Sequence, residues 1–195
     1  LKEAVNILES NDTFKKIFPI AVIILLLSNQ LLCAQEVKNG LTWYTDINQV
    51  CALSNKTKKP VFAFFTGSDW CVWCHRLEAN VFHHTAFQAW AKEHVILLEL
   101  DFPRNKKLPD ALVSQNNGLA QFLKIQGYPT VWIFNLTKDT AKNKFNIAVL
   151  GQLGYPQSEP GQEEAAFLQS ANALLKTGKY TVRFFLQFHE HSIVH

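Results

Sequence analysis

The sequence contains no methionine, only four cysteines among 195 residues, and no long run of one charge. Its formal net charge at neutral pH is +3, and the basic residues lie in short, scattered clusters. That distribution argues against a nucleic-acid-binding protein, which needs a dense basic surface. Hydrophobic residues make up 48% and charged residues 18% of the chain, which excludes a disordered protein and indicates one globular domain.

A hydrophobic run long enough to cross a bilayer comfortably is also missing. The apolar run at residues 17–27 is short and is followed by polar residues at 28–30. Two lysines at 15–16 precede the run and the small residue Ala34 follows it, which is the order of a secretory signal peptide. We therefore predict an exported, periplasmic protein cleaved near Ala34. The alternative is a membrane anchor formed by residues 17–34.

Strand and helix patterns alternate along the rest of the chain. Continuous apolar runs predict buried strands; they lie at 61–65, 95–102, 130–134 and 145–150. Amphipathic spacing predicts helices; they lie at 46–55, 74–81, 85–92, 112–125 and 163–176. This alternation predicts an α/β protein whose central sheet is covered by helices on both faces.

Local signals set some of the boundaries. Asp46 can cap the first helix, and Ser68 or Asp69 can cap the helix after the first buried strand. Gly127 is expected to end the fourth helix, and the turn-rich residues 135–143 are expected to separate the last two strands.

One short motif allows two kinds of chemistry. Cys71 and Cys74 form a C-x-x-C pair typical of a redox-active dithiol, whereas adding His75 makes C-x-x-C-H, the attachment signature of a c-type haem. The absence of methionine removes the common second axial ligand of such a haem, although a second histidine could replace it. The motif also follows a buried strand, whereas small haem-c domains are mostly helical.

The dithiol interpretation fits the local pattern better. An attacking thiol belongs at a helix N-terminus, where free N–H groups favour the thiolate, and Cys71 is predicted there. Its partner belongs one turn further in, where Cys74 lies, ready to attack a mixed disulfide. No zinc site is predicted, because the remaining cysteine of the predicted mature chain, Cys51, stands alone and is expected to be a small buried hydrophobe.

Two segments together resemble the thioredoxin superfamily. Residues 61–74, VFAFFTGSDWCVWC, resemble its active-site segment, and residues 127–130, GYPT, resemble its cis-proline loop. More narrowly, they resemble exported thioredoxin-like oxidoreductases of the DsbH and DsbD C-terminal-domain type. The resemblance covers about residues 41–176 and implies a thioredoxin fold, with a central mixed β-sheet flanked by helices on both faces.

Three segments are predicted along the chain. Residues 1–34 would be an N-terminal extension plus signal peptide, and residues 35–178 a thioredoxin-like domain. Residues 179–195 would be a C-terminal tail, for which disorder is the expectation.

The resemblance also assigns roles to matching positions. Cys71 would be the nucleophile and Cys74 the resolving thiol. Pro129 would follow a cis peptide bond and place the Tyr128 backbone where it can pair with an extended substrate segment.

Two tryptophans and two titratable residues would support the pair. Trp70 and Trp73 would surround Cys71 with an apolar docking surface, the alternative being core packing. Many thioredoxins carry a buried Asp on the strand before the active site, but residues 62–65 here are apolar throughout. Glu78 could substitute for it, although a solvated helix face is the favoured expectation. His75 could bias the thiolate or be an exposed residue without a role.

The function that follows is an exported thiol–disulfide oxidoreductase. Reduction is favoured over oxidation because Val72-Trp73 lacks the histidine found between the cysteines of DsbA-type oxidases. The resemblance implies no cofactor beyond the Cys71–Cys74 disulfide. Its partners would be protein disulfide substrates and an upstream thiol reductant, which a membrane protein could supply, and the protein would be a monomer. The alternatives are a c-type haem electron carrier and a non-catalytic thioredoxin-fold binding module.

Overall fold

The computed structural model describes residues 35–142, 144–177 and 183–186. The predicted leader and cleavage site, within residues 1–34, lie outside the described residues, as do residue 178 of the predicted domain and residues 179–182 and 187–195 of the predicted tail.

A mixed sheet of seven strands forms the centre of the described domain, in the order β1-β2-β4-β3-β5-β6-β7. The strands are β1 (Gln35–Lys38), β2 (Leu41–Tyr44), β3 (Val61–Thr66), β4 (Ile96–Asp101), β5 (Thr130–Asp139), β6 (Lys144–Leu153) and β7 (Arg183–Leu186). Strand β3 lies between β4, to which it is parallel, and β5, to which it is antiparallel. The sheet is therefore mixed, as predicted.

Helices cover both faces of the sheet. They are α1 (Ile47–Thr57), α2 (Val72–Leu77), α3 (Thr85–His94), α4 (Asp110–Phe122) and α5 (Glu163–Thr177), and a π-helical turn at Glu78–Phe82 continues α2. Buried residues of α2, α3 and α5 share one core, and those of α1 and α4 share the other. The predicted fold class, an α/β sheet flanked on both faces, is confirmed.

The two-sided burial of β3 explains its central position. Every residue of the strand is buried, and alternate side chains enter opposite cores. Phe62 and Phe64 face the core of α2, α3 and α5, whereas Ala63 and Phe65 face the core of α1 and α4. The strand ends at Thr66, so the following loop begins at the C-terminal end of this central strand and leads into α2.

Aromatic rings fill the core beneath α2. The Phe62 ring is fully buried. Its ring neighbours, at centroid distances of 5.7–6.2 Å, are Trp43, Phe82, Phe87, Trp90 and Phe167. These rings come from β2, the π-helical turn, α3 and α5, so one side chain joins most of the elements on this face.

Two predicted boundaries were wrong. Residues 135–139, assigned to a turn, continue β5 and pair with β6, because buried Leu136 alternates with exposed Asn135 and Thr137 as in a half-buried strand. Helix α4 ends at Phe122 rather than at Gly127: Lys124 adopts a left-handed backbone, with φ of 53°, and turns the chain out of the helix.

Three strands were missed by the sequence analysis. Strands β1 and β2 are only four residues long, too short for an alternating pattern to stand out. Residues Arg183–Leu186, expected to be part of a disordered tail, form β7 and pair antiparallel with β6. The disorder prediction is therefore wrong for these four residues.

Within the described ranges, no helix combines the length and the apolar character that crossing a membrane requires.

Replacing Phe62 by alanine tests the aromatic core. The substitution removes a fully buried ring, so the free energy of unfolding should fall by roughly 3–5 kcal/mol. Urea denaturation followed by tryptophan fluorescence measures the loss. Val37→Ala is the matched control, because Val37 is 70% exposed and its truncation should change stability by less than about 0.5 kcal/mol. Equal losses in the two variants would contradict this description of the core.

Candidate active site

A disulfide joins Cys71 and Cys74 across the first turn of α2. The two sulfur atoms are bonded at 2.09 Å and the Cα atoms lie 5.2 Å apart. Cys71 is 5% exposed and Cys74 is fully buried. A sulfur atom from outside can therefore approach Cys71, whereas Cys74 is reached only through its neighbour.

Cys71 itself is the N-cap of α2. Its backbone is extended, and its Sγ accepts a hydrogen bond of 3.1 Å from the backbone N–H of Cys74. An N–H group directed at this sulfur stabilises a negative charge there and so favours the thiolate after reduction. The helix begins at Val72 instead of Cys74, so the predicted boundary was two residues late.

Neither Ser68 nor Asp69 caps this helix, contrary to the sequence prediction. Ser68 donates through its backbone N–H and its hydroxyl to the Asp101 carboxylate, at 2.8 and 2.7 Å. The Asp69 carboxylate accepts from the backbone N–H groups of Arg104 and Asn105, at 2.9 and 2.6 Å. These hydrogen bonds hold the pKa of Asp69 below its usual value, and the one from Arg104 has the largest effect. Two carboxylates thus tie the active-site loop to the segment after β4.

Trp70 is half-buried beside the cysteine pair. Its indole N–H donates to the carbonyl of Phe102 at 2.8 Å, and its ring meets the edge of the Tyr128 ring at 5.6 Å. The Arg104 guanidinium lies 3.9 Å from the indole centroid. A Cβ on Gly67 would lie 2.4 Å from the indole, so the loop needs glycine there. Trp70 therefore packs against the loop and also contributes to the surface.

Trp73 is the more exposed of the two tryptophans, at 50%. The Tyr155 ring meets it edge-on at 5.2 Å, and the Arg76 guanidinium lies 4.7 Å from its centroid. The Tyr155 hydroxyl accepts a hydrogen bond of 2.8 Å from the Asn80 side chain, which fixes the tyrosine. Sequence reasoning missed Tyr155, because it follows β6 and lies far along the chain from the motif.

The peptide bond between Tyr128 and Pro129 is cis, as the resemblance implied. The Tyr128 ring is half-buried between the rings of Trp70 and Phe102, at 5.6 and 5.3 Å. Burial raises the pKa of the Tyr128 hydroxyl. The ring contact between Tyr128 and Trp70 brings the proline loop to the active-site segment.

His75 is exposed on α2, and its Nε2 lies 2.9 Å from the carbonyl oxygen of Ser68. Because that oxygen can only accept, Nε2 must carry the proton. The ring is thereby held against the active-site loop. An effect of its charge on the Cys71 thiolate remains a prediction.

Glu78 is not on a solvated helix face, so the favoured sequence expectation was wrong. The side chain is half-buried and lines a cavity of about 400 Å³ under the start of the π-helical turn. Aromatic side chains of Trp43, Phe64 and Phe82 form much of its wall. Burial is the main cause that raises the pKa of Glu78.

A second carboxylate, Glu99 on β4, lines the same cavity and was missed from the sequence. Glu99 is 7% exposed, and Lys38 of β1 contacts both of its carboxylate oxygens, at 3.0 and 2.7 Å. Burial alone would lower the pKa of Lys38, but attraction and hydrogen bonds to Glu99 and Glu36 together outweigh it, and the pKa is raised. Glu99 is the register partner of Phe64, so this buried carboxylate lies one strand away from the apolar run on β3.

Several known proteins are similar to this chain. A profile of the thioredoxin-like family matches residues 42–135. The disulfide bond reductase DsbH of Chlamydia pneumoniae is 34% identical over 76 residues, covering 39% of this chain and 46% of that protein. The thiol:disulfide interchange protein DsbD of Vibrio vulnificus is 36% identical over 86 residues, covering 44% of this chain and 13% of DsbD. The matches thus span less than half the length of these relatives.

Among solved structures, one titled DsbH Oxidoreductase superimposes with a TM-score of 0.58 at 28% identity. The superposition covers 70% of this chain and 85% of that one. The family match, the DsbH and DsbD relatives and the C-x-x-C pair at the start of α2 agree with one another. The domain described here therefore has a thioredoxin fold, and it is similar to the thiol–disulfide oxidoreductases DsbH and DsbD.

Proposed function

We propose that the protein is an exported reductase of protein disulfides that works through the Cys71–Cys74 pair without a bound cofactor. The observation that carries this proposal is the unequal burial of the joined cysteines, 5% exposed for Cys71 and none for Cys74. A substrate sulfur can approach only the first, so attack and resolution are assigned to different cysteines.

The reaction consists of two exchange steps. The Cys71 thiolate attacks one sulfur of a substrate disulfide, forms a mixed disulfide and releases the other substrate sulfur as a thiolate. The Cys74 thiolate then attacks the Cys71 sulfur and releases the second substrate thiolate. Two electrons pass to the substrate, which takes up two protons, and the Cys71–Cys74 disulfide is left behind.

The second step needs a base, because Cys74 is buried and its thiol must lose a proton before it attacks. Glu78 follows Cys74 by one helical turn and therefore lies on the same face of the helix. Burial raises the pKa of Glu78, which makes its carboxylate a better proton acceptor near neutral pH. Glu99 and Lys38 line the same cavity and supply the charges around it. We assign Glu78 the proton from Cys74.

The reductive direction has two supports. The dipeptide Val72-Trp73 has no ionisable side chain, whereas DsbA-type oxidases have a histidine between the cysteines that stabilises the reduced pair. The DsbH relative is named a disulfide bond reductase. An upstream thiol protein would return electrons to the pair after each cycle.

Export is part of the same proposal. Its support is the order of two lysines at 15–16, a short apolar run and Ala34, which matches a signal peptide cleaved before the domain. In the periplasm the protein would act as a monomer on proteins whose disulfides need reduction.

Trapping the mixed disulfide tests the assignment of the two cysteines. Cys74→Ser should accumulate a covalent complex with insulin or another protein that contains a disulfide, because resolution is blocked. Cys71→Ser should form none and should lose insulin reduction. Non-reducing gels and a turbidity assay measure these outcomes. Cys51→Ser is the matched control, since Cys51 is buried in the opposite core and should leave turnover unchanged.

Other results would replace the proposal. A Soret band in the purified protein would establish the haem carrier. Disulfide substrates bound but never reduced by an intact pair would establish a binding module.

The reduction potential of the pair tests the direction. A reductase should lie near the roughly −270 mV of thioredoxin and far from the roughly −120 mV of DsbA. Equilibration with glutathione or dithiothreitol buffers, followed by thiol alkylation and mass spectrometry, measures it. A potential close to that of DsbA would contradict the reductive direction while leaving the exchange chemistry in place.

Replacing Glu78 by glutamine tests the proton acceptor. Resolution of the mixed disulfide at pH 7 should slow by at least about tenfold, because a positioned acid–base group typically accelerates a proton transfer by roughly 10²–10⁴-fold. Rapid-quench kinetics separates this step from the initial attack, whose rate should stay within about twofold. Glu93→Gln is the control, because Glu93 is exposed on α3. An unchanged resolution rate would remove Glu78 from the mechanism.

The same variant should be more stable than the wild type at neutral pH. Because the pKa of Glu78 is raised by burial, its stabilising contribution is present below the unfolded pKa of about 4.3 and is lost as pH rises through the folded value. Glu78→Gln should therefore raise Tm at pH 7 and lose this advantage near pH 4. Thermal unfolding across that range checks the sign. A lower Tm at pH 7 would contradict the burial argument.

A further inference from the structure

Two guanidinium groups lie over the tryptophans that flank the cysteine pair. Arg104 stacks on Trp70, with 3.9 Å from Cζ to the ring centroid, and Arg76 lies 4.7 Å from the Trp73 centroid. Both arginines are exposed. Stacking occupies the face of a guanidinium and leaves its edge N–H groups directed outward, where they can bind a carboxylate.

Neither guanidinium has an anionic partner among the residues that the structure describes. The nearby carboxylates are already engaged: Asp69 accepts the backbone N–H groups of the loop, and Asp101 binds Ser68 and the ammonium of Lys106, the latter at 2.9 Å. Arg76 and Arg104 therefore present guanidinium groups that form no ion pair with the described residues, beside exposed apolar side chains such as Val72, which is 61% exposed.

Arg104 is also held in place before any substrate arrives. The Asp69 carboxylate fixes the backbone at Arg104 and Asn105, and the indole of Trp70 is fixed by its bond to the Phe102 carbonyl. A preorganised cation loses little conformational freedom on binding. The entropic cost of ordering its side chain is therefore small, and its charge can contribute to the choice between substrates.

From this arrangement we infer that the preferred substrates are disulfides whose cysteine is flanked by acidic residues together with an apolar or aromatic side chain. The substrate carboxylates bind the outward edges of Arg76 and Arg104, and the apolar side chain lies against Trp73 and Val72. This substrate class rests on the proposed disulfide reductase activity. A peptide segment fits better than an anionic membrane surface, because the free cations lie beside the redox pair and the chain has a formal net charge of only +3.

Matched disulfide peptides test the inference. Three peptides share one cystine and one flanking Leu and differ only in two flanking positions, which are Glu, Gln or Lys. For the full-length protein at low salt, kcat/KM should be roughly tenfold higher for the Glu peptide than for the Lys peptide. The ratio should shrink toward one at about 0.5 M salt, because the charges involved are exposed.

Arginine variants identify the source of that ratio. In the double variant Arg76→Gln and Arg104→Gln the ratio should fall to about two or less, and in Arg76→Glu with Arg104→Glu it should invert. A general loss of folding lowers all three rates together and cannot invert their order. Lys56→Gln, on α1 at the opposite face of the sheet, is the matched control and should keep the wild-type ratio.

The possible failures are distinct. Equal rates for the three peptides, or a ratio that survives both arginine variants, would overturn this inference and leave the proposed reductase intact. Reduction of none of the peptides, nor of insulin, would overturn the proposed function and this inference with it. Arginine-dependent sedimentation with phosphatidylglycerol vesicles, combined with equal peptide rates, would assign the cations to a membrane surface instead.

Discussion

Strand β3 has apolar side chains on both faces, and its burial between two cores sets the position of everything that follows it along the chain. Water is excluded from both sides, so the strand cannot slip or turn over without exposing phenylalanine rings. The loop after Thr66 therefore leaves the sheet at one defined point. Cys71 then begins a helix there, and its partner falls inside the core by the pitch of that helix.

Much of this could be predicted from the sequence, because its signals are local. Three features are predictable from a few neighbouring residues each: the apolar run of β3, the C-x-x-C spacing and the Tyr128–Pro129 dipeptide. The Glu99 and Tyr155 contributions could not be read in this way. Glu99 meets Lys38 at a separation of 61 residues, and Tyr155 meets Asn80 at 75, so only the folded sheet brings them together. Polar residues with distant partners look like ordinary surface residues in a linear pattern.

The carboxylates near the cysteine pair have two different roles. Asp69 and Asp101 bind N–H, hydroxyl and ammonium groups and hold the loop in shape. Glu78 and Glu99 line one cavity together with Lys38, and burial there raises the pKa of Glu78. The first pair holds the loop that leads to Cys71, and the second pair includes the residue that we propose as the proton acceptor for Cys74.

Strand β1 is an edge strand of four residues that pairs with β2 and contributes Lys38 to the cavity. Its first three residues are exposed, so it buries little apolar surface. Its contribution to the domain is electrostatic instead, because the Lys38 ammonium pairs with the buried carboxylate of Glu99. A shift of β1 by one residue would turn that lysine to the other side of the sheet and leave two carboxylates facing each other in one cavity. The register of a short outer strand is thereby coupled to the pKa of Glu78, on which the Lys38 ammonium acts.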